Sequence, residues 1–169
     1  MQTFGFAHAE SSLGTVLAAT SEAGLVSVLI DDHLPTMLLQ LQRRFPAVTF
    51  KQGALKSKPA LTRILQMAED PNLTYNLPVD MHTTPFRKQI WQAIMAIPPG
   101  TILTYKDVAR EAGSPRAMRA VGTACTHNHF SLIVPCHRVM HSTQTRAGHL
   151  SSLSLWRQKM LQRELLLLK

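Results

Sequence analysis

Near the C-terminal end, the run Pro135-Cys136-His137-Arg138-Val139 sets a thiol directly beside an imidazole and a guanidinium. A cysteine in such company can lose its proton and attack carbon. The thiolate is the nucleophilic form, and cationic or hydrogen-bonding neighbours pull its pKa below the free value of roughly 8.5, so Cys136 is the leading candidate for chemistry. Local composition alone leaves a second reading open, in which Cys136 is a small buried hydrophobe, as free cysteines often are. The other cysteine, Cys125, lies eleven positions upstream among apolar neighbours. That spacing suits neither a disulfide framework nor a zinc site with paired ligands, so both thiols are expected to be reduced and Cys125 to pack rather than react. His127, His129, His141 and His149 crowd the same stretch, but their spacing makes no recognised ligand set. No metal or cofactor is expected.

The scaffold that must position Cys136 is bounded first by size and charge. A chain of 169 residues makes one ordinary domain or two small ones and can bury a core without disulfides. No apolar run approaches the roughly 20 residues needed to cross a bilayer, and the start lacks a basic leader and an apolar signal core. A soluble, cytoplasmic protein with no membrane partner is expected. Residues 1–80 hold six Lys or Arg against seven Asp or Glu, whereas residues 81–169 hold twelve against three, so charges of −1 and +9 make up the net +8. A basic second half beside a neutral first half suggests a polyanion-binding surface confined to the C-terminal region; a solvated basic face without a partner is the alternative.

Residues 3–9, 14–19 and 24–30 read as short strands of a small antiparallel meander, separated by Ser- and Gly-containing turns. Leu34, Met37, Leu38 and Leu41 recur at helical spacing before Pro46. Lys58 to Glu69 reads as another amphipathic helix and Leu73 to Val79 as an extended piece. This first half, residues 1–80, is read as an α/β support domain. Asp80 to Thr83 is the natural boundary, and residues 84–169 are read as a mainly helical domain. Thr84 can cap a helix with Pro85 in its first turn, with Phe86, Ile90, Trp91 and Ile94 as its core stripe. A helix from about Thr104 to Ala112, a Gly113-Ser114-Pro115 turn and a second helix from Arg116 to about Thr126 resemble a helix-turn-helix. The second helix carries the small residues Ala117, Ala120, Gly122, Thr123 and Ala124 beside Arg116 and Arg119. Small side chains let a backbone approach another surface closely, and two arginines three apart can share a face toward phosphate or a groove. Packing against a neighbouring helix explains the same small residues.

Pro135-Cys136-His137-Arg138-Val139, Arg119-Ala120-Val121-Gly122, Asn128, Ile97-Pro98-Pro99-Gly100-Thr101 with Tyr105, and Phe86 with Trp91 together resemble the O6-alkylguanine-DNA alkyltransferases. The ordered motifs cover residues 84–164; residues 1–80 are similar in length and element order only. The resemblance implies a ribonuclease-H-like α/β N-terminal domain and a mainly α C-terminal domain with a winged helix-turn-helix-like motif. It also implies single-turnover, irreversible transfer of an alkyl group from O6-alkylguanine, with O4-alkylthymine as a further substrate, to Cys136 of a monomer. By the same resemblance His137 is the base through a bound water, Glu164 stabilises its imidazolium, and Tyr105 donates a hydrogen bond to the leaving guanine. Asn128 ties the bend between the recognition helix and the active-site loop. The partner implied is double-stranded DNA containing alkylated guanine, whose target nucleotide must leave the base stack to be reached. Arg119 would brace the vacated space. Arg116, Ala117, Ala120, Gly122, Thr123 and Lys106 would contact the duplex, and the helix would enter the minor groove with little sequence preference.

Pro135, Val139, His149, Leu150 and Ser151 are the implied substrate contacts. The last three stand where the pattern departs: family members carry a glycine-tyrosine pair and further glycines there, and here His149 replaces the tyrosine within Arg146-Ala147-Gly148-His149-Leu150-Ser151-Ser152-Leu153. The departure bears on the loop that covers the flipped base and on the range of alkyl groups accepted. Two other functions compete, a non-catalytic lesion-binding protein and a thiol-based helix-turn-helix transcription sensor. Cys136 argues against the first, which usually lacks that cysteine. A sensor would need a resolving thiol and a dimer helix, and no dimer helix is evident.

Overall fold

A computed structural model describes residues 1–141 and 153–168. The chain divides into two compact units, the first made of residues 1–82 and 129–132, the second of residues 83–128 and 133–169.

The first unit is built on β1 (Gln2–Ser11), β2 (Gly14–Thr20) and β3 (Leu25–Asp31), followed by α1 (Leu34–Arg44), β4 (Val48–Gln52) and α2 (Ser57–Glu69). The meander forms as its turns demand: Gly14 and Gly24 have φ of 115° and 152°, where a side chain is strained. The sheet is not purely antiparallel, however. Its order is β3-β2-β1-β4, and β4 joins β1 in parallel, the crossover through α1 supplying the length a parallel connection needs. Phe4, Leu17, Ala19 and Val26 of the sheet pack with Met37 and Leu41 of α1 and with Phe45 and Val48. The alternate residues Val16 and Ala18 are equally buried, on the face that α2 covers. Leu73 to Val79 makes no strand, only a single parallel bridge from Val79 to Leu25.

The return of residues 129–132 to this unit has no counterpart in the sequence reading. Val28 N–H donates to His129 O at 2.7 Å and Ser131 N–H to Val28 O at 3.1 Å, so the open edge of β3 is covered by backbone from far along the chain. Gly5 meets an equally close approach: a Cβ there would collide with the backbone carbonyl of Ala54. Gly5→Ala should therefore lower stability by about 1–3 kcal/mol or more, read as a lower urea midpoint at unchanged slope; an unchanged midpoint would mean that the 53–56 turn yields freely.

The second unit contains α3 (Pro85–Met95), β5 (Leu103–Thr104), α4 (Tyr105–Glu111), α5 (Met118–Thr126), a 3-10 turn (Cys136–Arg138), β6 (Val139–Met140) and α6 (Leu155–Leu166). Thr84 caps α3 as expected, its hydroxyl accepting from Arg87 N–H at 3.3 Å. Ile90, Trp91 and Ile94 are core, but Phe86, in the first turn of α3, is 43% exposed. Trp91 Nε1 donates to Ala124 O at 3.1 Å and ties α3 to α5. Thr104 and Asp107 form a reciprocal capping box, which places Tyr105 at the first position of α4. The second helix starts later than expected, at Met118. Ala117 N–H bonds Ser114 O at 2.9 Å, so Ser114-Pro115-Arg116-Ala117 is a turn and Arg116 is not on the helix with Arg119. Among the described residues no helix is long and apolar enough to cross a membrane.

Candidate active site

Helix α6 buries Met160, Leu161 and Glu164 on one stripe, so a carboxylate is carried into the core of the second unit. Glu164 is fully buried and can persist there only if its oxygens are satisfied. They are. His137 Nε2 lies 2.8 Å from Oε1, Arg138 Nε donates to both oxygens at 3.0 and 3.1 Å, and Arg138 Nη2 donates to Oε1 at 2.8 Å. Gly100 N–H reaches Oε2 at 3.3 Å, and Arg138 Nη1 is spent on Ile97 O at 2.7 Å. The Ile97-Pro98-Pro99-Gly100 turn is thus a clamp on the Arg138–Glu164 pair, with Gly100 at φ 82°. Burial pushes the Glu164 carboxyl up, but the hydrogen bonds from His137 and Arg138 outweigh it and bring it to about 2.

An ionised Glu164 only accepts, so His137 Nε2 must carry the proton of that bond. Burial, then the charges of Arg138 and Arg157, lower the imidazole pKa against the opposing pull of Glu164. The ring is therefore neutral near pH 7, and its tautomer leaves Nδ1 as a bare lone pair. Nδ1 is buried and has no hydrogen-bond partner among the described residues.

Cys136 opens the same 3-10 turn and is 8% exposed, where His137 beside it is 1% exposed. The expectation that His137 and Arg138 draw the thiol pKa down does not hold, since both side chains turn to Glu164. The dominant neighbour is Cys125. Contact with the Cys125 sulfur, then burial, push the Cys136 thiol well above the usual thiol range, against the charge of Arg157 and a hydrogen bond from Asn128. The same contact pulls the Cys125 thiol down. Cys125 therefore acts on the ionisation of Cys136 as well as packing.

Asn128 Nδ2 donates to Val134 O at 2.8 Å, closing the neck where the chain leaves the second unit at 128 and re-enters it at 133. Tyr105 is half-buried, and burial, then proximity to Cys125 and Cys136, raise its pKa, so the phenol keeps its proton. Gly122 faces this ring: a Cβ there would lie 3.4 Å from Tyr105 Cε2. That gives Gly122 a packing role within the unit beside its expected contact with DNA.

Arg157 was not singled out by sequence reasoning. Its charge acts on Cys125, Cys136, Tyr105 and His137, its guanidinium lies 5.5 Å from the Trp156 ring centroid, and its Nε is buried without a partner among the described residues. It precedes Glu164 by seven residues, two helical turns, which was the available signal. A cation here favours the thiolate, so Arg157→Gln should move the alkaline limb of the thiol reaction to higher pH. Arg157→Lys should restore it. A profile unmoved in Arg157→Gln, followed with a small thiol reagent, would remove this role.

Of the remaining residues, Arg116, Arg119, Thr123 and Lys106 are exposed, and Ala117, Ala120 and Gly122 partly so. Pro135 is buried beside Cys136, and Val139 is 5% exposed in β6, paired with Leu103. His149, Leu150 and Ser151 lie outside the described residues.

Residues 85–166 match the family model described as 6-O-methylguanine DNA methyltransferase, DNA binding domain. The chain is 34% identical over 144 residues to the bifunctional transcriptional activator/DNA repair enzyme Ada of Escherichia coli, covering 85% of this chain and 41% of Ada. It thus spans under half the length of that relative. It is 32% identical over 152 residues to the methylated-DNA–protein-cysteine methyltransferase of Methanosarcina barkeri, covering 86% of this chain and 88% of the relative. Among solved structures, Mycobacterium tuberculosis OGT in complex with DNA matches with a TM-score of 0.70 and 25% identity over 95% of this chain and 92% of that one. The match of residues 85–166 and the similarity over 88% of the Methanosarcina barkeri relative lead to one conclusion: the chain belongs to the methylated-DNA–protein-cysteine methyltransferase family.

Proposed function

We propose that this chain repairs alkylated duplex DNA by moving one alkyl group from guanine O6, or O4 of thymine, onto Cys136 Sγ, irreversibly and once per molecule. In the reaction the S–C bond forms as the O–C bond breaks, and the base departs with the electron pair and takes up a proton. An alkyl group on O6 is a poor electrophile, so a thiolate must be made and held in line. The observation that carries the reading is the buried 2.8 Å contact of His137 Nε2 with Glu164 Oε1, beside Cys136, with Nδ1 lacking a partner among the described residues: an ionised Glu164 would hold the Nε2 proton and leave Nδ1 basic. A bridging water would relay the Cys136 proton to Nδ1, and the buried carboxylate would stabilise the imidazolium, as in other nucleophile–histidine–acid sets. The raised pKa of Cys136 keeps it a thiol until this base acts. Tyr105, protonated, would donate to the leaving guanine, and Asn128 would hold the loop that aims the sulfur.

The second unit would also supply the DNA surface. We read α4, the 112–117 turn and α5 as a winged helix-turn-helix-like motif, and the first unit as a ribonuclease-H-like support, corresponding to domains at 1–80 and 84–169. Exposed Arg119, Arg116, Lys106 and Thr123 would meet the duplex, with Ala117, Ala120 and Gly122 allowing close approach, and the lesion would be flipped past Arg119 toward Cys136. Pro135, Val139, His149, Leu150 and Ser151 would border the extruded base. The chain would act as a cytoplasmic monomer.

With lesion duplex in excess, each chain should remove one lesion and stop. Cys136→Ala should remove none yet retain DNA binding that weakens steeply with salt. Arg119→Ala should slow transfer from duplex far more than from the free modified base. Repeated turnover, or stable lesion binding without loss of the alkyl group, would overturn the reading.

A further inference from the structure

The proposed transfer uses one sulfur, whereas a second lies near enough to act on its ionisation. We propose that Cys125 and Cys136 form a reversible disulfide that shelters the alkyl acceptor under oxidising conditions, so that the site is a thiol switch as well as an acceptor. The regulatory consequence rests on the alkyl-transfer reading; the disulfide itself does not.

The backbone geometry ties the two residues together through one side chain. Asn128 N–H donates to Cys125 O at 3.2 Å, Asn128 Nδ2 donates to Val134 O at 2.8 Å, and Cys136 N–H donates to that same Val134 O at 2.7 Å. Two hydrogen bonds through Asn128 and a third that shares the Val134 carbonyl therefore link the end of α5 to the 3-10 turn, although eleven positions separate the cysteines. Each thiol perturbs the ionisation of the other, in opposite directions, and both cysteines are free. Closing the bond to about 2.05 Å requires the sulfurs to approach. Rotation about χ1 of either cysteine moves its sulfur while leaving these three hydrogen bonds in place.

The two thiols are unequal in a way that suits sequential oxidation. Cys125 is the more exposed and the more readily ionised, with Arg157 acting on it, the features that mark an oxidation-sensitive thiol. With a hydroperoxide as oxidant, the Cys125 thiolate attacks the outer oxygen. An S–O bond forms, the O–O bond breaks, and the alkoxide or hydroxide leaves and takes a proton. The Cys136 sulfur then attacks the sulfenic sulfur, the S–S bond forms and water leaves. The balance is two thiols and one hydroperoxide giving one disulfide, one alcohol or water, and one further water. Cys136 in the disulfide cannot be carried to the irreversible sulfinic or sulfonic acids, and a dithiol returns both thiols.

The test treats the full chain with hydrogen peroxide and then maps peptides without reduction. Titratable thiols should fall by two, and the Cys125 and Cys136 peptides should appear joined. Methyl transfer should be lost with them and regained on adding dithiothreitol. In Cys125→Ser and Cys125→Ala, the peroxide should instead leave Cys136 as sulfinic acid and the loss should survive dithiothreitol. Oxidation of wild-type protein without a joined peptide, or equal rescue of the Cys125 variants by dithiothreitol, would overturn the proposal. A joined peptide in a chain whose reduced form accepts no methyl group would instead overturn the transfer reading and leave the disulfide standing.

Discussion

Glu164→Ala should cost about 3–5 kcal/mol of stability, the usual effect of removing one partner of a buried ion pair. Arg138, whose side chain is 10% exposed, would lose its carboxylate, and His137 Nε2 and Gly100 N–H would lose their acceptor. The pH dependence of stability has the same origin. The Glu164 carboxyl falls from 4.5 unfolded to about 2 folded, so its contribution is fully present above about pH 4.5 and is lost as pH falls toward 2. A shift of that size corresponds to on the order of 3 kcal/mol. Urea unfolding of wild type at pH 7 and near pH 3 should show the loss, and Glu164→Gln, which cannot ionise, should show a smaller dependence. Equal midpoints for wild type and Glu164→Ala at pH 7 would mean that Arg138 finds another partner at no cost.

His137→Ala should slow alkyl transfer by about 10²–10⁴-fold, the typical contribution of a positioned general base. The pH profile should change shape as well. Because the His137 pKa is lowered by burial, the wild-type base stays available through neutral and mildly acidic pH, and the rate should fall only below the ordinary histidine range. Without that base the Cys136 proton must leave unaided, and its pKa is raised. The variant's rate should then climb with pH through the neutral range. Single-turnover rates between pH 6 and 9 would decide it; an unchanged profile in His137→Ala would leave the imidazole a structural partner of Glu164.

What could be read from residues alone follows from how local each signal is. The hairpins of β1–β3 announce themselves through Gly14 and Gly24, whose backbone angles glycine favours, and α1, α2 and α3 through apolar spacing and the Thr84 cap. Strand β4 was invisible because Val48–Gln52 is short and mostly polar and earns its place by pairing with β1, a partner more than forty positions away. The return of His129–Leu132 to β3 is equally non-local. Within the site, the short motif brought Cys136, His137 and Arg138 into view, and the family resemblance added Glu164, Tyr105 and Asn128. The electrostatics were misjudged because adjacency in sequence was taken for adjacency of charge: in the 3-10 turn, His137 and Arg138 both point to Glu164. Cys125 read as packing because its sequence neighbours are apolar, and hydrogen bonds through Asn128 link its turn to that of Cys136.

Peptide mass mapping after incubation with duplex DNA containing O6-methylguanine reads the acceptor directly. One methyl group should appear on the Cys136 peptide, none on the Cys125 peptide, and none on either when the duplex carries unmodified guanine. A methyl group on Cys125, or an unmodified Cys136 in protein that holds the lesion tightly, would contradict the assignment of Cys136 as the sulfur that takes the alkyl group.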